Sequence, residues 1–253
     1  MIWSKEHILV TGASGVLGSA VVDNLVSRKV KVIGCGRQSK PMGYRSHWRK
    51  VDLLTGDGLD TALSEATCVI HCASNPSKPR EDIGALENLI KAVREQGRHI
   101  VYISIAGIEG VADDYEYYRV KLECEQRLAR AGVGHTITRA TPFHSFVSHM
   151  LKRLTLGPFL MVPKMTLQPV DPTFIAQRLV TYALDRYPGR TPDLTGPEII
   201  DPKTLTTAWM KSRRTPKIRI TAPGIRSIKA IEGLKQVAGE KGGPSWREWL
   251  STL

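Results

Sequence analysis

Cysteine, acidic charge and long apolar runs are all scarce in this chain. There are only four cysteines in 253 residues, Cys35, Cys68, Cys72 and Cys124. A chain of this length buries roughly 70–75% of its extended surface, so neither a disulfide framework nor a structural metal is needed to hold it. Cys68-Val69-Ile70-His71-Cys72 has the look of a ligand pair, but it sits inside an apolar run and no second pair accompanies it. Buried core thiols are expected there and no metal site. No apolar run approaches the roughly 20 residues that a bilayer requires. Met1 to Glu6 leads straight into a strand pattern, so the expectation is a soluble, cytoplasmic protein with no membrane partner.

Acidic residues number 24 against 36 lysines and arginines, a formal charge of +12 with a pI near 9.7. Such a balance first suggests nucleic acid. The basic residues are scattered, however, apart from clusters at Arg45/Arg49/Lys50 and Lys211/Arg213/Arg214/Lys217, and no nucleic-acid motif goes with them. A solvated surface that also attracts an anionic cofactor is the simpler expectation, with no specific nucleic-acid role.

What is present is alternation. Strand patterns near 7–11, 30–35, 48–51, 67–73, 99–105 and 134–139 are separated by helix patterns at Ser19–Arg28, Asp82–Gln96 and Asp114–Ala131, the last closed by Gly132. This order predicts an α/β fold, a doubly wound Rossmann-type parallel sheet with its ligand at the carboxyl ends of the strands. The pattern changes after Arg139. An amphipathic helix running to Leu154, a proline-marked surface segment Val162–Pro172, helices at Thr173–Leu184, Ile225–Val237 and Pro244–Leu250, a short element at Lys203–Lys211 and a strand at Ile218–Thr221 read as a small C-terminal substrate lobe. The expected division is 1–140 for the nucleotide half and 141–253 for the lobe, within one structural unit. Gly239–Gly243 is expected to be a mobile loop.

The first strand runs into Thr11-Gly12-Ala13-Ser14-Gly15-Val16-Leu17-Gly18. In such a turn Gly12 permits the sharp reversal, Gly15 lets backbone N–H groups approach a pyrophosphate, and Gly18 lets the helix lie against the strand. Gly12, Ser14, Gly15, Val16, Leu17 and Gly18 are the expected phosphate cradle. Enzymes that use NAD place an acidic residue after the second strand, but Gly34-Cys35-Gly36-Arg37-Gln38-Ser39-Lys40 contains none. Arg37 suits a 2′-phosphate, with Lys40 adding charge, so NADP(H) is favoured over NAD(H).

The spacing TGxxGxxG resembles that of extended and atypical short-chain dehydrogenase/reductases. The stretch from Val101-Tyr102-Ile103-Ser104 through Tyr117-Tyr118-Arg119-Val120-Lys121 to Thr141-Pro142-Phe143-His144 is similar to their NmrA-like branch, as are Gln168–Asp171 and Leu194–Glu198. The resemblance implies a catalytic set of Ser104, Tyr117 and Lys121. Tyr117 and Lys121, four apart, share one helix face, and a nearby ammonium favours the phenolate. The resemblance also implies that Asp52 contacts the adenine amino group with Leu53 beside it, that Ala73 and Ser74 line the adenosine and ribose, and that Thr141, Pro142 and Phe143 pass the nicotinamide. A turn role for Asp52 is an equal alternative. Tyr115 and Tyr118 lie near the same register as Tyr117. His144 and His149 are expected to pack rather than react, while Phe143, Phe146 and Met150 either line an apolar site or belong to the core.

The function implied is reduction of a small carbonyl or quinone, with a small-molecule substrate and a monomer or homodimer as the assembly. Two alternatives stand beside it. One is a nucleotide-binding redox sensor without turnover, and the other is an epimerase or dehydratase that recycles bound NADP(H).

Overall fold

The computed structural model describes residues 5–44, 46–162, 164, 166–221 and 238–253. Its main sheet contains β1 (His7–Thr11), β2 (Lys31–Gly36), β3 (His47–Lys50), β4 (Cys68–His71), β5 (His99–Ile105), β6 (Gly134–Ala140), β9 (Gly189–Arg190), β10 (Leu194–Thr195) and β12 (Glu240–Lys241). The spatial order is β3-β2-β1-β4-β5-β6-β10-β12, with β9 also on β6, and every pairing in it is parallel. Strand order reverses at β1, which has β2 on one side and β4 on the other. That is the switch point at which open α/β sheets take their ligands.

Successive strand residues point to opposite faces, which sorts the core into two layers. Ile8, Val10 and Val32 meet α1 (Val16–Ser27) and α6 (Pro172–Asp185) through Val21, Leu25, Ile175 and Leu179. Leu9, Ile33, Val69 and Ile100 meet α2 (Leu59–Ser64), α3 (Glu81–Gln96) and α4 (Glu116–Arg130) through Leu63, Leu89, Val93 and Leu128. A third core joins α5 (His144–Arg153), β8 (Phe159–Val162), α7 (Pro202–Ser212) and α8 (Trp246–Ser251), with Leu151, Leu160, Trp209 and Trp246 at its centre. β8 also carries β7 (Thr155–Leu156) and β11 (Ile218–Thr221) in a separate three-stranded sheet.

Helix ends follow from their capping residues. Asp171 accepts from the Thr173 amide at 2.7 Å, with Pro172 starting α6. Asp201 caps α7 in the same way, and Ser245 with Glu248 closes a capping box on α8. Between layers, Arg139 of β6 holds Glu125 of α4 through bonds of 2.8 and 2.7 Å and also reaches Glu109. The Arg139 and Glu125 side chains are only 5% and 8% exposed.

The six strands and three helices expected before residue 140 are all present, within a few residues of their predicted bounds. α2 is an addition, six residues entered through Gly58 at φ +76°. The stretch expected to cross the surface instead buries Leu167, Gln168, Val170 and Asp171, and Leu167 exchanges two backbone bonds with Ile200. The expected loop at 239–243 holds β12, an edge strand of the main sheet. It is tightly packed: a Cβ on Gly239 would lie 2.2 Å from the Asp193 carbonyl oxygen, and one on Gly242 2.2 Å from the Phe174 ring. The helix expected at Ile225–Val237 and the side chain of Arg45 lie outside the described residues. All four cysteines are free, three of them buried, and burial pushes the Cys35 and Cys68 thiols up to about 12. Among the described residues no helix is long and apolar enough to cross a membrane, and no three metal-ligating side chains gather.

Candidate functional site

The glycine turn lies at the carboxyl edge of β1. Gly12 takes φ +62°, a region that L side chains rarely enter. A Cβ there would also come within 2.8 Å of the Ala73 backbone, and one on Gly18 would come within 2.1 Å of the Gly12 carbonyl oxygen. Gly12 and Gly18 therefore let three backbones meet. Gly15 donates to the Gly12 carbonyl at 2.9 Å and starts α1 with no side-chain cap and no acidic residue in the first turn. Ser14, Gly15 and Val16 are exposed, whereas Leu17 turns its side chain into the core. An uncapped, positively polarised helix end facing an open glycine turn fits a dinucleotide pyrophosphate.

The neighbouring strands complete the cradle. The Thr11 hydroxyl accepts from the Ala73 amide at 3.2 Å and shares a hydrogen bond of 2.8 Å with His71 Nδ1. Burial, with the charge of Lys121, pushes His71 down to about 3. The unfolded chain therefore takes up a proton near pH 6.5 that the folded one refuses. We expect thermal melts to lose stability as pH falls below about 6.5, by up to about 1.4 kcal/mol per pH unit from His71, and His71→Phe to remove that share of the slope.

At the end of β2 two aromatic rings take the place of side chains. The Tyr44 hydroxyl sits 1.8 Å from where a Cβ on Gly34 would be, and the Trp48 ring 3.2 Å from one on Gly36. The two rings meet edge to face at 4.9 Å, and Trp48 Nε1 donates to the Gln38 carbonyl at 3.0 Å. The loop is thereby folded onto β2, and Arg37 and Lys40 are left exposed. A side chain at 36 would press on the Trp48 ring, which would have to give way slightly. Sequence reasoning missed Tyr44 and Trp48, whose role shows only in their contact with glycines.

Asp52 does the work of a turn: its Oδ1 accepts from the Leu54 amide at 2.9 Å. Asn88 of α3 holds the same turn through the Leu53 and Leu54 carbonyls, at 2.9 Å each. Asp52 and Leu53 are both half-buried. Thr141 is buried, donating its amide to Leu194 and accepting from Gly196. Pro142 and Phe143, half-buried, bracket Val170. His144 is fully buried, bonded to the Pro244 carbonyl at 3.0 Å and packed at a tilt against the rings of Trp246 and Trp249. His149 and Phe146 are exposed, and Met150 belongs to the third core.

Tyr117 and Lys121 come from successive turns of α4. Lys121 is buried, its Nζ donating to the Ile103 carbonyl at 2.8 Å and lying 4.2 Å over the Tyr102 ring. That bond pins α4 against β5 at the residue before Ser104. Burial lowers the ammonium's pKa, and the charge of Asp82 opposes this. The Tyr117 hydroxyl does not bond Ser104, whose Oγ is buried without a hydrogen-bond partner. It bonds Ser74 Oγ at 3.1 Å, and Ser74 in turn donates to Asp82 at 2.5 Å. The phenol is also not lowered by its neighbour as the resemblance implied: burial pushes it above its ordinary value. Tyr118 packs with Ile108 and Val111 in a small apolar cluster. Asp82 was legible only as the first residue of a helix, and nothing in its sequence context distinguishes it from an ordinary first-turn aspartate. A groove of about 810 Å³ between α3 and α4 shares no residue with this site.

Residues 8–116 match the model of the NAD dependent epimerase/dehydratase family. Over 159 residues the chain is 24% identical to subunit beta of methionine adenosyltransferase 2 from Rattus norvegicus, covering 53% of this chain and 46% of that one. The chain thus spans about half the length of that relative. In fold it is similar to a nucleoside-diphosphate-sugar epimerase from Staphylococcus aureus, with a TM-score of 0.81 at 17% identity over 96% of this chain and 99% of that one. It is also similar to MoeE5, solved with UDP-glucose and NAD, with a TM-score of 0.76 at 19% identity over 97% and 96%. Residues 8–116 thus resemble the NAD dependent epimerase/dehydratase family, and the chain shares its fold with these nucleotide-sugar enzymes.

Proposed function

We propose that this chain is an NADP(H)-dependent oxidoreductase that reduces a small carbonyl or quinone, with Tyr117 as the proton donor. The observation that carries the reading is convergence at one sheet edge. The uncapped start of α1 lies at the switch point. Tyr117 reaches the same edge through Ser74, whose neighbour Ala73 packs on Gly12. The nucleotide supplies hydride chemistry when bound. Gly12, Ser14, Gly15, Val16, Leu17 and Gly18 hold its phosphates. Asp52, Leu53, Ala73 and Ser74 border the adenosine, and Thr141 to Phe143 flank the nicotinamide side. Ser104 orients the substrate oxygen with its unpartnered hydroxyl. Tyr117 gives that oxygen its proton and recovers one from water. Lys121, the third member of the set, holds α4 to β5 beside the proton donor through its bond to the Ile103 carbonyl.

The preference for the phosphorylated nucleotide rests on Trp48 covering Gly36 and on the exposed Arg37. Arg37→Ala is expected to cost about 1–3 kcal/mol of NADPH affinity, the range for charged hydrogen bonds, and to leave NADH nearly unchanged. Fluorescence titration with both nucleotides measures it, and equal curves for the unaltered protein would reject the preference.

A second reading is favoured by the family match and by the sugar-nucleotide neighbour solved with NAD. In it the same residues oxidise and then re-reduce one substrate. Net consumption of NADPH by candidate carbonyls or quinones supports the first reading, and product formation with no net change in the nucleotide supports the second.

A further inference from the structure

The contacts around Ser74 fix which way its hydrogen bonds run. A serine hydroxyl has one proton to give, and a carboxylate only accepts. Asp82 sits at the first turn of α3 with its side chain buried, 8% exposed. Its Oδ1 accepts from the Asn75 amide at 2.9 Å and its Oδ2 from Ser74 Oγ at 2.5 Å. The Ser74 proton is therefore spent on Asp82, and at the 3.1 Å contact Tyr117 must be the donor and Ser74 the acceptor.

We propose that Ser74 and Asp82 hold Tyr117 as a neutral phenol with its proton in place, which makes Asp82 a positioning residue that commits Tyr117 to giving a proton rather than taking one. This rests on the reading of Tyr117 as the acid of the proposed reduction. The surroundings point the same way. Burial is the largest cause that disfavours a phenolate, and the charge of Asp82 on α3 and Cys124 on α4 work in the same sense. The neighbouring phenols are Tyr102 on β5, stacked on His71, and Tyr115 and Tyr118. Among the described residues the ammonium nearby, Lys121, is bonded to the Ile103 carbonyl. A hydrogen bond from Ser74 would lower the phenol only if Ser74 were the donor, and Asp82 prevents that.

The direction of that bond makes a sign that can be measured. Tyrosine labelled with ¹³C at Cζ reports each ring's ionisation, and Tyr117→Phe identifies its resonance among the seven. In the unaltered protein Tyr117 is expected to titrate above the ordinary value of about 10. Asp82→Asn, which keeps an acceptor for the Asn75 amide, is expected to bring the midpoint down by about one unit, that is, about tenfold more phenolate at a given pH. Ser74→Ala removes the acceptor and is expected to lower the midpoint as well. A rise in Ser74→Ala would mean that Ser74 donates to the phenolate, and it would overturn the proposal, as would an unchanged midpoint in Asp82→Asn. If Asp82→Asn fails to fold, the sign in Ser74→Ala decides alone, because that variant keeps the Asp82–Asn75 bond. The titration needs neither substrate nor nucleotide. Failure of the reductase reading would instead show as full turnover in Tyr117→Phe.

Discussion

Tyr117→Phe is expected to keep the fold and NADPH affinity while losing turnover by roughly 10²–10⁴, the usual contribution of general acid catalysis. The substitution removes one hydroxyl and leaves the ring, which packs beside Tyr115 and Tyr118. Ser74 keeps its bond to Asp82, so the loop after β4 is not released. Tyr118→Phe should do much less, because that hydroxyl belongs to the cluster with Ile108 and Val111 rather than to the Ser74 edge. Lys121→Met should lower turnover and also stability. It removes a buried charge that was bonded to the Ile103 carbonyl and leaves that acceptor without its partner. Steady-state rates with NADPH and a quinone, beside thermal melts, separate the three variants. Activity retained in Tyr117→Phe but lost in Tyr118→Phe would shift the register by one residue.

The second large effect is expected at Arg139. Its guanidinium forms a two-pronged bond to Glu125 with both side chains almost fully buried, and Glu109 adds a partner from the more exposed side. Arg139→Met strands a buried carboxylate and is expected to destabilise the fold by about 3–5 kcal/mol. The double change Arg139→Met with Glu125→Met should recover most of that loss, because paired burial of charge is replaced by apolar packing of similar volume. Denaturant unfolding of both variants tests this. A double variant no better than the single one would mean that the pair supplies geometry that packing does not.

Most of the sheet was legible because its evidence is local and repeated. Ile8 and Val10 face one layer and Leu9 the other, and the same alternation in β2, β4 and β5 puts each strand where its apolar run lies. The glycine turn was legible because Gly12 and Gly18 have a backbone requirement that no other residue meets. Tyr117 and Lys121 were legible as a helical pair. What the pair touches was not: the bond from Tyr117 to Ser74 spans 43 residues of sequence, and that from Lys121 to Ile103 spans 18. The same limit explains the edge strands. β9, β10 and β12 are two residues each, too short for any period, and exist because β6 and its neighbour offer them unpaired backbone. The glycines of β2 looked like a missing acidic residue. Only the placement of Tyr44 and Trp48 showed what those glycines accommodate.

The helix that closes the α1 face of the sheet comes late. α6 begins at Pro172, yet Ile175, Ala176, Leu179 and Val180 complete the same core as Ile8, Val10 and Val21. A nascent chain must therefore be made past residue 185 before that apolar layer is covered, at a synthesis rate of roughly 5–20 residues per second. For those seconds β1, β4 and α1 present an oily face to the ribosome surface and to any holdase nearby. The stretch 8–116 that carries the family match is thus not a unit of folding. Expressed by itself it should collect in inclusion bodies, while a chain ending after α6 should already keep that layer covered.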